Sequence, residues 1–194
     1  WSINQLGTDV ASVVRQLAPS PVVVVGFSMG AAVALETGRQ IPNLVRGIVT
    51  VDAFHDPHFK FTEALAQQLL PAFRAKWGDS AYMRSLVFSA GTPDTMLARY
   101  MRTIAQPFPE RWWPALMAVW DWNNTQLTTA LTQLEVPVAA INSAQPTTNI
   151  GAWREYVPGF TVAVIPDVGH MGMIWEKIPQ FDSLVTEAAR RFAR

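Results

Sequence analysis

The sequence contains no cysteine. This absence excludes a disulfide framework, a thiolate metal site and a cysteine nucleophile, and it leaves the cellular compartment open. The chain also has no excess of charge of either sign, because its 194 residues include 15 basic and 15 acidic side chains. Since no basic run is present, we expect neither nucleic acid nor an anionic membrane surface as a partner.

Long apolar runs are missing as well. No stretch approaches the roughly 20 residues that a membrane-spanning helix needs, so no membrane span is expected. The first ten residues, WSINQLGTDV, lack the basic and apolar regions of a signal peptide. Hydrophobic residues nevertheless make up 49% of the chain and charged residues only 15%, which is enough apolar material for the core of about one domain.

Helical and strand patterns alternate along the chain. Apolar spacing predicts helices at about residues 3–17, 29–40, 150–156 and 180–192. Short β-branched runs predict strands in VVVV (22–25), RGIVTVDAF (46–54), VPVAAIN (136–142) and FTVAVIP (160–166). This alternation is typical of an α/β domain whose parallel sheet is flanked by helices.

A long helical block interrupts the alternation. Residues 53–132 contain no strand pattern, and they hold five of the eight tryptophans. We therefore expect a helical insertion over 53–132, within an α/β core made of residues 1–52 and 133–194. The tryptophans favour an apolar pocket in this insertion, or an aromatic core of its own.

One short motif combines a buried strand, a sharp turn and a helix. Gly26-Phe27-Ser28-Met29-Gly30 matches G-x-S-x-G, with the strand before it and the helix after it. A strand that turns at once into a helix strains the corner residue and lifts its side chain clear of the sheet, and the flanking glycines allow strand and helix to approach. We interpret Ser28 as a nucleophile and the Met29 amide as an oxyanion donor. The alternative is a turn that merely packs well.

A serine nucleophile needs a base, and the chain has three histidines. His170 follows the last predicted strand, so it lies at the sheet edge where the strand ends converge. His55 and His58 stand in FHDPHF at the start of the helical block, where a surface or capping role is favoured. We therefore predict His170 as the base.

Together these segments resemble the α/β-hydrolase superfamily. VVVVGFSMGAAVAL is similar to its nucleophile turn, and VIPDVGHMGMIWEKIPQF to its histidine loop and last helix. LEVPVAAIN resembles the strand that leads to the usual acid. The resemblance implies the chain order serine, acid, histidine, and a helical cap in the position of the insertion.

The sequence departs from the family pattern at the position of the catalytic acid. Gln145 occupies the turn where an aspartate is usual, and a neutral amide cannot stabilise an imidazolium. Some branches carry the acid one strand earlier, where this chain has Asp52. We therefore predict Asp52 as the acid that orients His170. Three other aspartates are weaker candidates for this role: Asp56, Asp121 and Asp167.

The second departure is the N-terminal region. The family usually has several strands before the nucleophile turn, whereas here one helix precedes it. The strand at 22–25 would then be an exposed edge. We expect the chain to be a fragment, a processed product, or the partner of a second chain or segment that supplies the missing strands.

These features predict a serine hydrolase that cleaves a carboxylic ester or related acyl bond through an acyl-enzyme formed on Ser28, with His170 and Asp52. The expected substrate is a small, apolar ester, and no metal or organic cofactor is implied. A serine at position 28 argues against dehalogenase and epoxide hydrolase chemistry. Two alternatives stay open: a carbon–carbon bond hydrolase or cofactor-free haloperoxidase of the same fold, and a non-catalytic binding protein.

Overall fold

A parallel β-sheet forms the centre of the molecule. The computed structural model describes residues 2–18, 20–104 and 108–193. The four described strands lie in chain order across the sheet, each parallel to its neighbour. They are β1 (Val22–Phe27), β2 (Val45–Val51), β3 (Val138–Ser143) and β4 (Thr161–Ile165). The predicted parallel α/β architecture is confirmed.

Helices connect and cover these strands. They are α1 (Ile3–Leu17), α2 (Met29–Gln40), α3 (Glu63–Lys76), α4 (Ser80–Val87), α5 (Asp94–Met101), α6 (Trp112–Thr125), α7 (Leu127–Thr132), α8 (Ile150–Tyr156), α9 (Gly172–Trp175) and α10 (Ile178–Phe192). The last helix begins two residues before its predicted start, because Pro179 fits the first turn of a helix, where no backbone donor is needed. Among the described residues, no helix is long and apolar enough to cross a membrane.

Alternate residues of the central strands serve two different cores. Ile48 of β2 packs in the cluster that contains residues of α1 and α2, whereas Val49 and Val51 pack in the cluster that contains residues of α10. A strand that is buried on both faces reads as a continuous apolar run, which is why the sequence pattern identifies the sheet. The candidate site lies at the C-terminal ends of these strands.

Strand β1 lies at one edge of the sheet, as predicted. Val25 on this strand is 44% exposed, although most of the strand is apolar. An exposed apolar edge invites pairing with another strand. That a second segment or chain covers this edge stays a prediction.

The described part of the segment between β2 and β3 contains the five helices α3 to α7, joined by loops, and no strand, as expected. Its last two helices, α6 and α7, pack into the same core as α1 and α2. Helices α3, α4 and α5 instead surround a separate cluster that includes Phe73, Trp77, Phe88 and Tyr100. The division of the chain at residues 53 and 132 stays a prediction.

Candidate active site

The corner between β1 and α2 holds Ser28 in a strained conformation. Its backbone angles are φ 53° and ψ −121°, which a residue with a Cβ adopts only when the surroundings impose it. The Ser28 amide donates to the carbonyl of Val51 at 2.9 Å, so the corner is tied to the neighbouring strand. Met29 begins α2, and its amide is among the first N–H groups of the helix, which have no partner within the helix.

The two glycines of the motif contribute differently. A Cβ at Gly26 would lie 2.7 Å from the Ala31 nitrogen and overlap the Gly30 carbonyl, so the close approach of strand and helix requires glycine there. A Cβ at Gly30 would meet no atom within 4 Å. The expectation that both glycines relieve crowding is therefore right for Gly26 and wrong for Gly30.

Asp52 and His170 form a hydrogen-bonded pair. Asp52 follows the last residue of β2, and its Oδ2 lies 2.7 Å from Nδ1 of His170. Its Oδ1 accepts a hydrogen bond of 2.7 Å from the Ser143 amide at the end of β3. The Asp52 side chain is only 5% exposed, whereas that of His170 is 28% exposed. Two residues that the sequence singled out are thus in direct contact, although 118 positions separate them.

The environment of Asp52 keeps its carboxylate ionised. Burial by itself would raise the pKa of Asp52, but hydrogen bonds from His170, His55 and Ser143 outweigh it and hold the pKa well below its usual range. An ionised carboxylate can only accept a hydrogen bond. Nδ1 of His170 therefore carries the proton, and in the neutral ring Nε2 is left with a free lone pair.

Phe27 links the serine corner to the histidine. Its ring stacks on the imidazole of His170, with centroids 4.5 Å apart and planes inclined by 25°. Since Phe27 immediately precedes Ser28, this stack brings the histidine loop against the end of β1. The ends of β1 and β2 and the loop after β4 therefore meet at one edge of the sheet.

A cavity of about 630 Å³ opens beside Ser28. Ser28, Met29 and Asp52 lie in its wall, and α6 contributes Leu116 and Trp120. The remaining apolar wall comes mainly from phenylalanines of the segment that follows β2: Phe54, Phe59 and Phe61. Among the described residues, no lysine or arginine lines it. The wall of the cavity next to the serine is therefore largely apolar.

His55 departs from the expectation of a surface role. Its side chain is 13% exposed, lines the cavity, and has Nε2 3.4 Å from Oδ1 of Asp52. Sequence reasoning missed this contact between His55 and Asp52. His58 does lie at the surface, where it contacts Glu155 at 3.1 Å and Tyr156 at 3.4 Å.

The other candidate acids, and Gln145 at the usual acid position, make no described hydrogen bond to His170. Gln145, Asp121 and Asp167 are exposed. Asp56 lines the cavity, and its oxygens accept hydrogen bonds from the His58 amide and from Asn149. Within the described part of the chain, no cluster of histidine and carboxylate side chains could hold a metal ion.

A model of the alpha/beta hydrolase family matches residues 3–177. The chain belongs to this family. Membership indicates a hydrolase and leaves the bond that it cleaves unspecified. A search of curated protein sequences found no match.

Several solved structures share the fold of this family member. An esterase from Thermogutta terrifontis with bound malate is 16% identical, with a TM-score of 0.74 over 99% of this chain and 73% of that one. An esterase from Exiguobacterium antarcticum is 15% identical, with a TM-score of 0.73 over 96% of this chain and 73% of that one. The epoxide hydrolase CorEH is 19% identical, with a TM-score of 0.68 over 100% and 76%. At these identities the likeness establishes the fold alone.

Proposed function

We propose that this protein is a serine hydrolase that cleaves carboxylic esters through an acyl-enzyme. Ser28 is the nucleophile, His170 the general base and Asp52 the acid that orients it, while the Met29 amide is an oxyanion donor. The observation that carries the proposal is the 2.7 Å contact between Oδ2 of Asp52 and Nδ1 of His170, beside a strained serine that faces a cavity.

Acylation follows from the protonation states of the pair. Nε2 of His170 accepts the proton of the Ser28 hydroxyl as Oγ attacks the ester carbonyl, and the carbonyl oxygen becomes negative in the tetrahedral intermediate. The amide of Met29 donates to that oxygen at the start of α2. When the intermediate collapses, the bond to the alcohol breaks, the protonated Nε2 gives its proton to the leaving oxygen, and Ser28 holds the acyl group.

Deacylation repeats these steps with water. The water attacks the acyl carbonyl while His170 takes a proton from it. His170 then returns this proton to Ser28 when the carboxylic acid leaves. Asp52 accepts from Nδ1 throughout, and its negative charge stabilises the imidazolium at each transfer. The hydrogen bond from the Ser143 amide fixes the other oxygen of the carboxylate, so the ring keeps one orientation.

The walls of the cavity support a neutral, apolar ester as substrate. Phe54, Leu116 and Trp120 offer apolar surface for an acyl or alcohol group. Among the described residues of the wall, the charged side chains are Asp52 and Asp56, both of which are acidic. We therefore place a small uncharged ester in the cavity, with its carbonyl at Ser28, and the proposed reaction needs no metal or organic cofactor.

The decisive experiment measures covalent labelling of the serine. We expect a fluorophosphonate probe to add one group to the full chain, at Ser28 by mass spectrometry, and we expect S28A to remain unlabelled. The same preparations should hydrolyse p-nitrophenyl butyrate and lose that activity in S28A. A wild-type chain that neither labels nor turns over would contradict the proposal and favour a binding protein of the same fold.

A further inference from the structure

The loop that carries His170 is attached to the helical segment between β2 and β3. The amide of Met171 donates to the carbonyl of Val87, the last residue of α4, at 2.7 Å. On the other side of His170, a Cβ added to Gly169 would lie 2.6 Å from both the Cα and the carbonyl oxygen of Phe88. The two residues that flank His170 therefore meet consecutive residues of this helical segment.

A second attachment lies five residues further along. The hydroxyl of Thr92, in the loop between α4 and α5, donates to Oε1 of Glu176 at 2.6 Å. Thr92 is 3% exposed, so this hydrogen bond is shielded from water, and its hydroxyl also accepts from the Ser89 amide at 3.2 Å. A buried bond between a hydroxyl and a carboxylate is stronger than one between neutral groups.

Packing continues the same contact. Trp175 of α9 meets the ring of Tyr100 edge-on, with centroids 5.7 Å apart, and the guanidinium of Arg99 lies 5.5 Å from its ring centre. Met171 and Trp175 also pack on the cluster that α3, α4 and α5 surround. The histidine loop and the helix after it thus share a core with α4 and α5.

His170 is consequently held from two directions. Its ring is fixed by the sheet, through the hydrogen bond to Asp52 and the stack on Phe27. Its backbone is fixed by the helical segment, through residues 87–92. We propose that residues 87–92 position His170 for catalysis, with the carbonyl of Val87, the backbone of Phe88 and the hydroxyl of Thr92 as the positioning groups.

This inference rests on the proposed function for its kinetic consequence. A general base must lie within hydrogen-bonding reach of the hydroxyl, and a displacement of about 1 Å can lower a rate about 100-fold. A shift of residues 87–92 relative to the sheet would move His170 away from Ser28 while leaving the cavity wall from α6 in place. Loss of the attachment should therefore lower kcat and change KM little.

One pair of glycine variants tests the close approach. Neither Gly169 nor Gly159 has a positive φ, so alanine is compatible with the backbone angles at both. A Cβ at Gly159 would meet no atom within 4 Å, whereas at Gly169 it forces the Phe88 backbone to move. We expect G169A to lower kcat for p-nitrophenyl butyrate about 100-fold and G159A to match the wild type.

A second pair tests the hydroxyl and remains informative if G169A does not fold. T92V keeps the shape of the side chain but loses the donor to Glu176, while T92S keeps the donor. We expect T92V to lower kcat about 10-fold with KM nearly unchanged, and T92S to restore the wild-type value. The rate of fluorophosphonate labelling at Ser28 should follow the same order.

The three histidines permit a readout that does not depend on activity. In ¹⁵N-histidine-labelled protein, H55F and H58F assign two rings, and the third is His170. We expect T92V to move the ring resonances of His170 and to leave those of His55 and His58 in place, and T92S to leave all three unchanged. The inference is overturned if T92V leaves both kcat and the His170 resonances unchanged, or if T92V and T92S lower kcat equally.

A wild-type chain that reacts with neither the ester nor the probe would refute the proposed function. The resonances would still decide whether residues 87–92 position His170.

Discussion

His55 contacts the carboxylate of Asp52 at the oxygen that His170 does not contact, with its Nε2 3.4 Å from Oδ1. Both imidazoles therefore face one ionised group, His170 through Oδ2 and His55 through Oδ1. The distance is long for a hydrogen bond, so the contact is weak by itself. We infer that His55 adds a second donor beside the Ser143 amide and helps to hold Oδ2 toward the proposed base, His170.

We expect H55F to lower kcat for p-nitrophenyl butyrate about 3- to 10-fold, which matches the loss of one hydrogen bond worth about 1 kcal/mol. In H55Q the side-chain amide reaches a similar position and can donate to Oδ1, so most of the rate should return. H58F is the matched control, because His58 lies at the surface beside Glu155. Equal losses in H55F and H55Q would mean that His55 only fills space.

Substitutions at Asp52 and Gln145 distinguish which of these two residues orients His170. In D52N the side chain no longer carries the charge that stabilises the imidazolium, and its amide can force the wrong tautomer on His170; we expect kcat to fall about 10³- to 10⁴-fold. Q145A should retain the wild-type rate, since Gln145 is exposed and Asp52 already occupies Nδ1 of His170. Steady-state kinetics of the two variants under identical conditions provide the comparison, and similar small losses in both would reject Asp52 as the acid.

The depressed pKa of Asp52 also predicts how stability depends on pH. The folded-state pKa of Asp52 lies below its unfolded value of about 3.9. The ionised group therefore adds stability at every pH above about 4, and this contribution is lost as the pH falls toward the folded-state pKa. We expect the difference in the free energy of unfolding between wild type and D52N to shrink as the pH falls from 4 to 2. Urea denaturation at each pH measures this difference, and a difference that does not change from pH 4 to 2 would contradict the depressed pKa of Asp52.

The glycines of the serine corner predict opposite effects on stability. G26A places a Cβ against the backbone of Gly30 and Ala31, which must shift, so we expect a loss of about 2 kcal/mol or more in the free energy of unfolding. G30A adds a methyl group to open space within α2, where alanine is favoured by up to about 1 kcal/mol over glycine. Thermal unfolding of both variants is the measurement. A stable G26A would show that the corner can relax.

The sheet and its ends could be predicted from the sequence because the signal there is local. Apolar runs mark the buried strands, and Ser28, Asp52 and His170 each follow such a run within a few residues. The place of His55 could not be predicted, because it depends on positive φ angles at Asp52 and Phe54, which have no sequence signature outside glycine. The contact between Gly169 and Phe88 joins positions that are 81 residues apart. It could not be predicted, because no local pattern in either segment indicates it.

The charge of the cavity wall predicts selectivity among esters. Asp56 lies in that wall, and the hydrogen bond from Asn149 lowers the pKa of Asp56, so its carboxylate is ionised at neutral pH. Among the described lining residues no lysine or arginine offsets this charge, and a substrate carboxylate would be repelled. We expect kcat/KM for the mono-p-nitrophenyl ester of adipic acid to be at least about 10-fold below that for p-nitrophenyl hexanoate, which has the same chain length.

D56N should reduce this difference, because it should raise kcat/KM for the anionic ester and leave kcat/KM for the neutral ester nearly unchanged. Equal kcat/KM values for the two esters in the wild type would mean that solvent screens the wall and that charge does not select the substrate.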